Sequence, residues 1–227
     1  MAAVRGAATE PAGAGLLLPP RELVPKPDAD DPIDYYYKPL TARIYRARLR
    51  LALDLLGAGS HEALLEVGYG SGIFLPELAR RADRVTGIDI HRESAAVAAM
   101  LQQLGLSIPL HEGSLFEMPF GEGEFDTLVC LSVLEHVTEL HAALTELRRV
   151  LRPGGIAVLG FPARNPVPDA FFRAVGYNPR EIHPSSHRDI LAAARTHDGF
   201  AVEREARFPR FAPLDLAAYV GCRCRAI

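Results

Sequence analysis

Apolar residues along the chain change spacing, and the spacing predicts the elements. In TARIYRARLRLALDLLG (41–57), Ile44, Tyr45, Leu49, Leu53 and Leu56 recur about once per helical turn, with Thr41 as candidate cap and Gly57 as stop, which predicts a helix. Five short apolar runs follow: ALLEV (63–67), RVTGIDI (84–90), SIPLHE (107–112), FDTLVCLS (125–132) and IAVLGF (156–161). Each reads as a strand, and helical patterns fall between them at 72–82, 91–104 and 138–151, the last ended by RPGG. Strands alternating with helices predict an α/β fold, with a parallel sheet covered on both faces. The pattern changes after a proline-rich connection at 162–184. SSHRDILAAARTHDG predicts a helix capped by Ser185 or Ser186, and FAVEREARFP and LAAYVGCRCRAI predict two strands. The short loop between those strands, with Pro209 and Pro213, suits an antiparallel hairpin and not a crossover. Residues 1–31 lack periodicity and are expected to be a flexible tail. Residues 32–227 are expected to form a single domain, with 32–60 as a helical N-terminal cap and 161–188 as a lid-like insertion.

Composition narrows the setting. Of 227 residues, 48% are hydrophobic, enough for one substantial core. No apolar run reaches the roughly 18 residues of a membrane span, and GAGLLL (13–18) is too short for a signal peptide, so no stable membrane insertion is expected. A net charge of −3, with no basic patch interleaved with aromatics, predicts no nucleic-acid partner. Cys130, Cys222 and Cys224 do not make a zinc pattern and read as unpaired thiols in a reducing, cytoplasmic compartment. His183 and His187 are four apart, but Pro184 interrupts a shared helical face, and no metal is expected. Oligomeric state is not fixed by anything in the chain.

The most informative stretch is LLEVGYGSGIF (64–74). A strand, a glycine-rich turn and a helix leave backbone N–H groups open to a ligand. Glu66 adds a carboxylate at the strand end, and Asp89 ends the next strand, where an acidic residue accepts both hydroxyls of a ribose. The pattern E-x-G-x-G-x-G differs from the dinucleotide spacing G-x-G-x-x-G, since Phe74 and Leu75 stand where the later glycine would be. A P-loop is excluded because no G-K-S/T follows. The expected ligand is an adenosine without a pyrophosphate, carrying a polar group for Glu66 and the turn amides.

With these residues the chain resembles the class I S-adenosylmethionine-dependent methyltransferases of the small single-domain kind. LLEVGYGSG is similar to the family's first motif, VTGIDI to its ribose motif and HEGSLFEMPF to the stretch after strand three. FDTLVCLSVLEHV resembles the fourth-strand motif, and LRPGGIAVL the fifth. The resemblance covers roughly 35–227 and implies a doubly wound, seven-stranded Rossmann-like sheet with an antiparallel last strand. It implies S-adenosyl-L-methionine as cofactor, with Glu66, Gly68, Tyr69, Gly70 and Gly72 at the methionine end and Leu131 approaching it through its backbone. It also implies Asp89 on the ribose, Ile90 on the adenine face, and Ser114 and Leu115 at the adenine edge. Where Ser114 stands, the family often has Asp or Asn.

The expected activity is methyl transfer to a small-molecule, lipid or glycan-precursor acceptor. Glu135 and His136 fall just past a strand, where such sheets open their crevice; they either face the acceptor or simply begin a helix. His136, then His183 and His187, are the candidate bases, because histidine titrates near neutrality. Of Tyr35, Tyr36 and Tyr37, one either packs in the core or lies over the sulfonium; Tyr36 is the candidate. Two other readings remain: a catalytically silent binder of the cofactor or its demethylated product, and a nucleotide-dependent oxidoreductase, which the glycine spacing disfavours.

Overall fold

The computed structural model describes residues 15–26, 32–164 and 183–227. Helix α1 (Ala42–Leu56) buries Leu49, Ala52, Leu55 and Leu56 along one stripe, and ends as Gly57 donates its N–H to the Leu53 carbonyl at 3.0 Å. The alternating region then gives β1 (His61–Val67), the one-turn α2 (Leu75–Leu78), β2 (Ala82–Asp89), α3 (Ser94–Gln103) and β3 (Leu110–Glu112). It continues with β4 (Phe125–Leu131), α4 (Leu140–Val150) and β5 (Leu151–Pro162). The final part holds α5 (His187–Thr196), β6 (Phe200–Phe208) and β7 (Tyr219–Ala226).

The seven strands form one sheet in the order β3-β2-β1-β4-β5-β7-β6. The first five are parallel; β7 runs antiparallel between β5 and β6. This is the doubly wound arrangement the sequence implied. Side-chain alternation divides the core. Ala63, Leu65 and Val67 face α4 and α5 with Leu128, Leu144 and Ile190, while Leu64, Val129 and Val158 face α1 and α3 with Leu55 and Met100. All three cysteines are buried and free.

Some element boundaries differ from expectation. The predicted helix at 72–82 is a single turn, because β2 already begins at Ala82, paired with His61. The expected strand at 107–112 is reduced to Leu110–Glu112. β5 starts at Leu151 and not at 156, since Phe125 pairs with Leu151 and Thr127 with Ile156 across an irregularity that holds Pro153, Gly154 and Gly155. Within the expected tail, residues 15–26 make specific contacts. The Leu17 N–H donates to Glu77 at 2.7 Å, the Tyr37 hydroxyl donates to the Pro19 carbonyl at 2.6 Å, and Arg21 pairs with Asp34. Most of the expected lid, including the aromatic stretch DAFFRAVG, lies outside the described residues. No helix among the described residues is long and apolar enough to cross a membrane.

Candidate active site

The parallel strands end together, with Val67 beside Ile88 and Cys130, and Leu131 beside Gly160. Their carboxyl ends form the floor of the site. The turn after β1 is tight. Gly68 has φ 77° and donates to the Ile88 carbonyl at 2.8 Å; a Cβ there would lie 2.2 Å from Val133 Cγ2, so only glycine fits. The Gly70 N–H donates to Asp89 Oδ2 at 2.7 Å, and the His91 N–H donates to Asp89 Oδ1 at 3.2 Å. Asp89 thus pins the turn, and each of its oxygens keeps a further lone pair.

Two cavities open above this floor. The first, about 620 Å³, is lined by α1 (Tyr45, Arg48), by Tyr36, by Glu66 and the turn after it, and by Leu131, Glu135, His136, His183 and Tyr219. The second, about 470 Å³, is lined by Asp89, Ile90, Ser114, Leu115, Phe116 and the Val133 wall. Gly68, Gly70, Ser132 and His136 border both.

The first cavity has unusual electrostatics. Glu66 is 5% exposed and its Oε2 has no hydrogen-bond partner among the described residues. Burial, reinforced by the charge of Asp89, pushes its carboxyl well above the usual range. Arg48 Nε also lacks a partner, and its guanidinium carbon lies 4.8 Å from the Tyr36 ring centroid and 5.4 Å from that of Tyr45. Burial pushes Glu135 up to about 7, opposed by a backbone hydrogen bond and by Arg48. Glu135 Oε2 has no partner. Ser132 adopts φ 57°, rare for a residue with a side chain, and its Oγ lies 3.0 Å from the buried Tyr219 hydroxyl.

Most residues singled out from sequence line one of these cavities. Tyr36, Glu66, Gly68, Tyr69, Gly70, Leu131, His136 and His183 border the first, and Asp89, Ile90, Ser114 and Leu115 the second. Two do not. Gly72 packs the turn against α3, where a Cβ would lie 2.4 Å from Val97 Cγ1. His187 is buried at the start of α5; its Nδ1 accepts the Arg164 N–H at 3.1 Å and its Nε2 lies 3.3 Å from Asp215 Oδ1. Tyr36 lines the cavity, but a cation of the chain itself, Arg48, already stands against its ring. Sequence reasoning missed Arg48, Ser132 and Tyr219. Arg48 had a legible signal: a charge three residues past Tyr45 and beside Leu49, on the apolar stripe of α1. Ser132 and Tyr219 had none, since one depends on backbone strain and the other on a hairpin returning from the far end of the chain.

Residues 65–159 match the model of a family described as a methyltransferase domain. That part of the chain is similar to a methyltransferase domain, and the chain shares its fold with solved methyltransferase structures. Among curated relatives, a ubiquinone biosynthesis O-methyltransferase of Pseudomonas paraeruginosa is 36% identical over 110 residues, which is 46% of this chain and 46% of that protein. The chain spans about half the length of the curated relatives it matches, or less. Among solved structures, the N-methyltransferase NodS from Bradyrhizobium japonicum, in complex with S-adenosyl-L-homocysteine, superposes with a TM-score of 0.64 at 22% identity, covering 88% of this chain and 94% of that one. The (4+2)-cyclase SpnF superposes at 0.66 with 19% identity, covering 84% of this chain and 83% of that one.

Proposed function

We propose that the chain transfers a methyl group from S-adenosyl-L-methionine to a small-molecule acceptor. One observation carries this reading: a single cavity presents a buried carboxyl, Glu66, and the half-buried Arg48, each with a buried polar atom that no hydrogen bond satisfies among the described residues. That pair complements an α-amino acid, ammonium to Glu66 and carboxylate to Arg48. The adjoining cavity fits an adenosine, with Asp89 accepting from the ribose hydroxyls, Ile90 covering the base, and Ser114 and Leu115 at its edge. The methionine and adenosine halves would meet at Gly68 and Gly70, which border both cavities.

The cofactor supplies an electrophilic methyl on a sulfonium. The chain's own contribution is positioning and exclusion of water. Gly68 allows close approach from the turn, and Leu131 and Ser132 close the space past β4. His136, bordering both cavities, and His183, whose ring centroid is 4.9 Å away, are the proposed groups to take up an acceptor's proton. His187 is spent on Arg164 and Asp215 and takes no part in this proposal. The curated relative methylates oxygen by its name, which favours an oxygen acceptor here. The fold also occurs in a cyclase, so the reaction is argued from the site and not from the fold.

Calorimetry should give saturable binding of S-adenosylhomocysteine and none of NAD. Asp89→Ala should weaken that binding about 10- to 100-fold, the scale of charge-assisted hydrogen bonds. Labelled cofactor incubated with candidate acceptors should give a methylated product, identified by mass spectrometry. Binding without any transfer would favour the catalytically silent reading; no binding to folded protein would overturn the assignment.

A further inference from the structure

The wall of the first cavity carries a cluster to which the proposed cofactor contacts assign no role. Glu135 and His136 sit on a single 3-10 turn just after β4, and His183 precedes α5. One ligand atom from each lies within 4.8 Å of the other two. The convergence is built in: the Ser185 N–H donates to the Glu135 carbonyl at 3.3 Å, and the Ser185 hydroxyl donates to the Val137 carbonyl. The segment carrying His183 is therefore stitched to the turn carrying the other two groups. A second observation points to a ligand. Glu135 is 2% exposed and borders the cavity, yet its Oε2 has no hydrogen-bond partner among the described residues. A buried carboxylate oxygen in that condition needs a cation or a donor.

We propose that Glu135, His136 and His183 form a binding site for one divalent transition-metal ion in the acceptor part of the cavity. Bonds of about 2.1 Å to three ligands bring them to roughly 3–3.5 Å from one another, so the cluster tightens on binding. Two imidazole nitrogens and one carboxylate are a borderline donor set, which selects ions such as iron, cobalt, nickel or zinc over magnesium or calcium. Three protein ligands leave open positions, and the burial gradient from Glu135 to the exposed His136 leaves them facing the cavity. A hydroxyl oxygen of the acceptor could occupy one. Coordinated there, it releases its proton to solvent more readily than when free. The oxygen then forms its bond to the methyl carbon as the carbon–sulfur bond breaks and that electron pair returns to sulfur. The two histidines then act as ligands and not as bases. The proposal rests on the acceptor-site reading for the ion's role, but not for its binding.

The test uses the full chain, stripped of metal by chelator and titrated with cobalt(II). The expected result is a visible d–d spectrum that saturates at one equivalent and resists excess magnesium. His183→Ala and Glu135→Gln should each weaken cobalt binding by about 100-fold or more, since even outer-shell changes cost 10- to 100-fold. Binding of S-adenosylhomocysteine by both variants checks that they are folded; two independent variants guard against the failure of one. Absence of saturable binding, or equal binding by wild type and both folded variants, would overturn the site. Cobalt binding with no methyl transfer would leave the site standing and count against the methyltransferase reading alone.

Discussion

Arg48 is the side chain on which the proposed amino-acid end of the site depends, and its one sequence signal is a charge on the apolar stripe of α1. Replacing it by methionine keeps an aliphatic stem and removes the guanidinium that lies against Tyr36 and Tyr45. Arg48→Met should weaken S-adenosylhomocysteine by about 10- to 100-fold. It should leave methylthioadenosine, which has no amino-acid tail, nearly unaffected; isothermal titration with both ligands reads the difference. Equal losses for the two would mean that Arg48 acts through packing. Glu66 and Asp89 were legible in the sequence because each sits at a fixed offset from the glycine turn, within one strand-turn-helix unit. Arg48 reaches the same cavity from α1, and Tyr219 from β7. Such convergence is set by tertiary packing, which local patterns do not encode.

Among the elements, α1 and β7 pack without space for an added methyl group. A Cβ at Gly221 would lie 2.8 Å from Leu51 Cδ2, 2.9 Å from Leu55 Cδ1 and 2.9 Å from the Leu159 carbonyl. The helix is thus seated directly on strand backbone. Gly221→Ala should cost about 1–3 kcal/mol by overpacking, measured by urea unfolding. It should also weaken S-adenosylhomocysteine, because α1 carries Arg48 and Tyr45. A stability loss with unchanged affinity would show that the helix shifts without moving its charged residue. Alternation of strands and helices made the parallel core legible, and the short proline-containing loop made the hairpin legible. The exact starts were not. The RPGG stretch reads as a helix stop followed by a loop, yet it lies within β5, because the partner β4 pairs with both of its flanks across a register shift. Edge strand β6 carries the consecutive charged residues Glu203, Arg204 and Glu205, which suits its outer position.

At the scale of the whole molecule, the two ends of the sheet do different work. The carboxyl ends carry the site; the opposite end carries His61, buried at the start of β1 with Nδ1 2.8 Å from Thr127 Oγ1 and no partner for Nε2. Burial lowers its pKa below 6.5, against the pull of Asp126 and with the help of Arg223 and Arg81. The unfolded chain therefore takes up this proton first as pH falls. Stability is unaffected by His61 above its unfolded pKa and declines as pH drops from there toward the folded value. Between about pH 7.5 and about pH 5.5, urea unfolding of His61→Gln should vary less with pH than wild type. His187 and His197, also lowered by burial, are common to both proteins and do not contribute to the difference. A wild-type slope no steeper than the variant's would contradict the burial argument. S-adenosylhomocysteine affinity should not change with this substitution, since Glu66 and Asp89 lie at the other ends of their strands.

Gly68, Gly70, Ser132 and His136 form a partition that belongs to both chambers. A compound joining a nucleoside analogue to an acceptor mimic would run along that partition. Its second half would bind at the effective concentration set by the linker, so two weak fragments could become one tight inhibitor without any new contact.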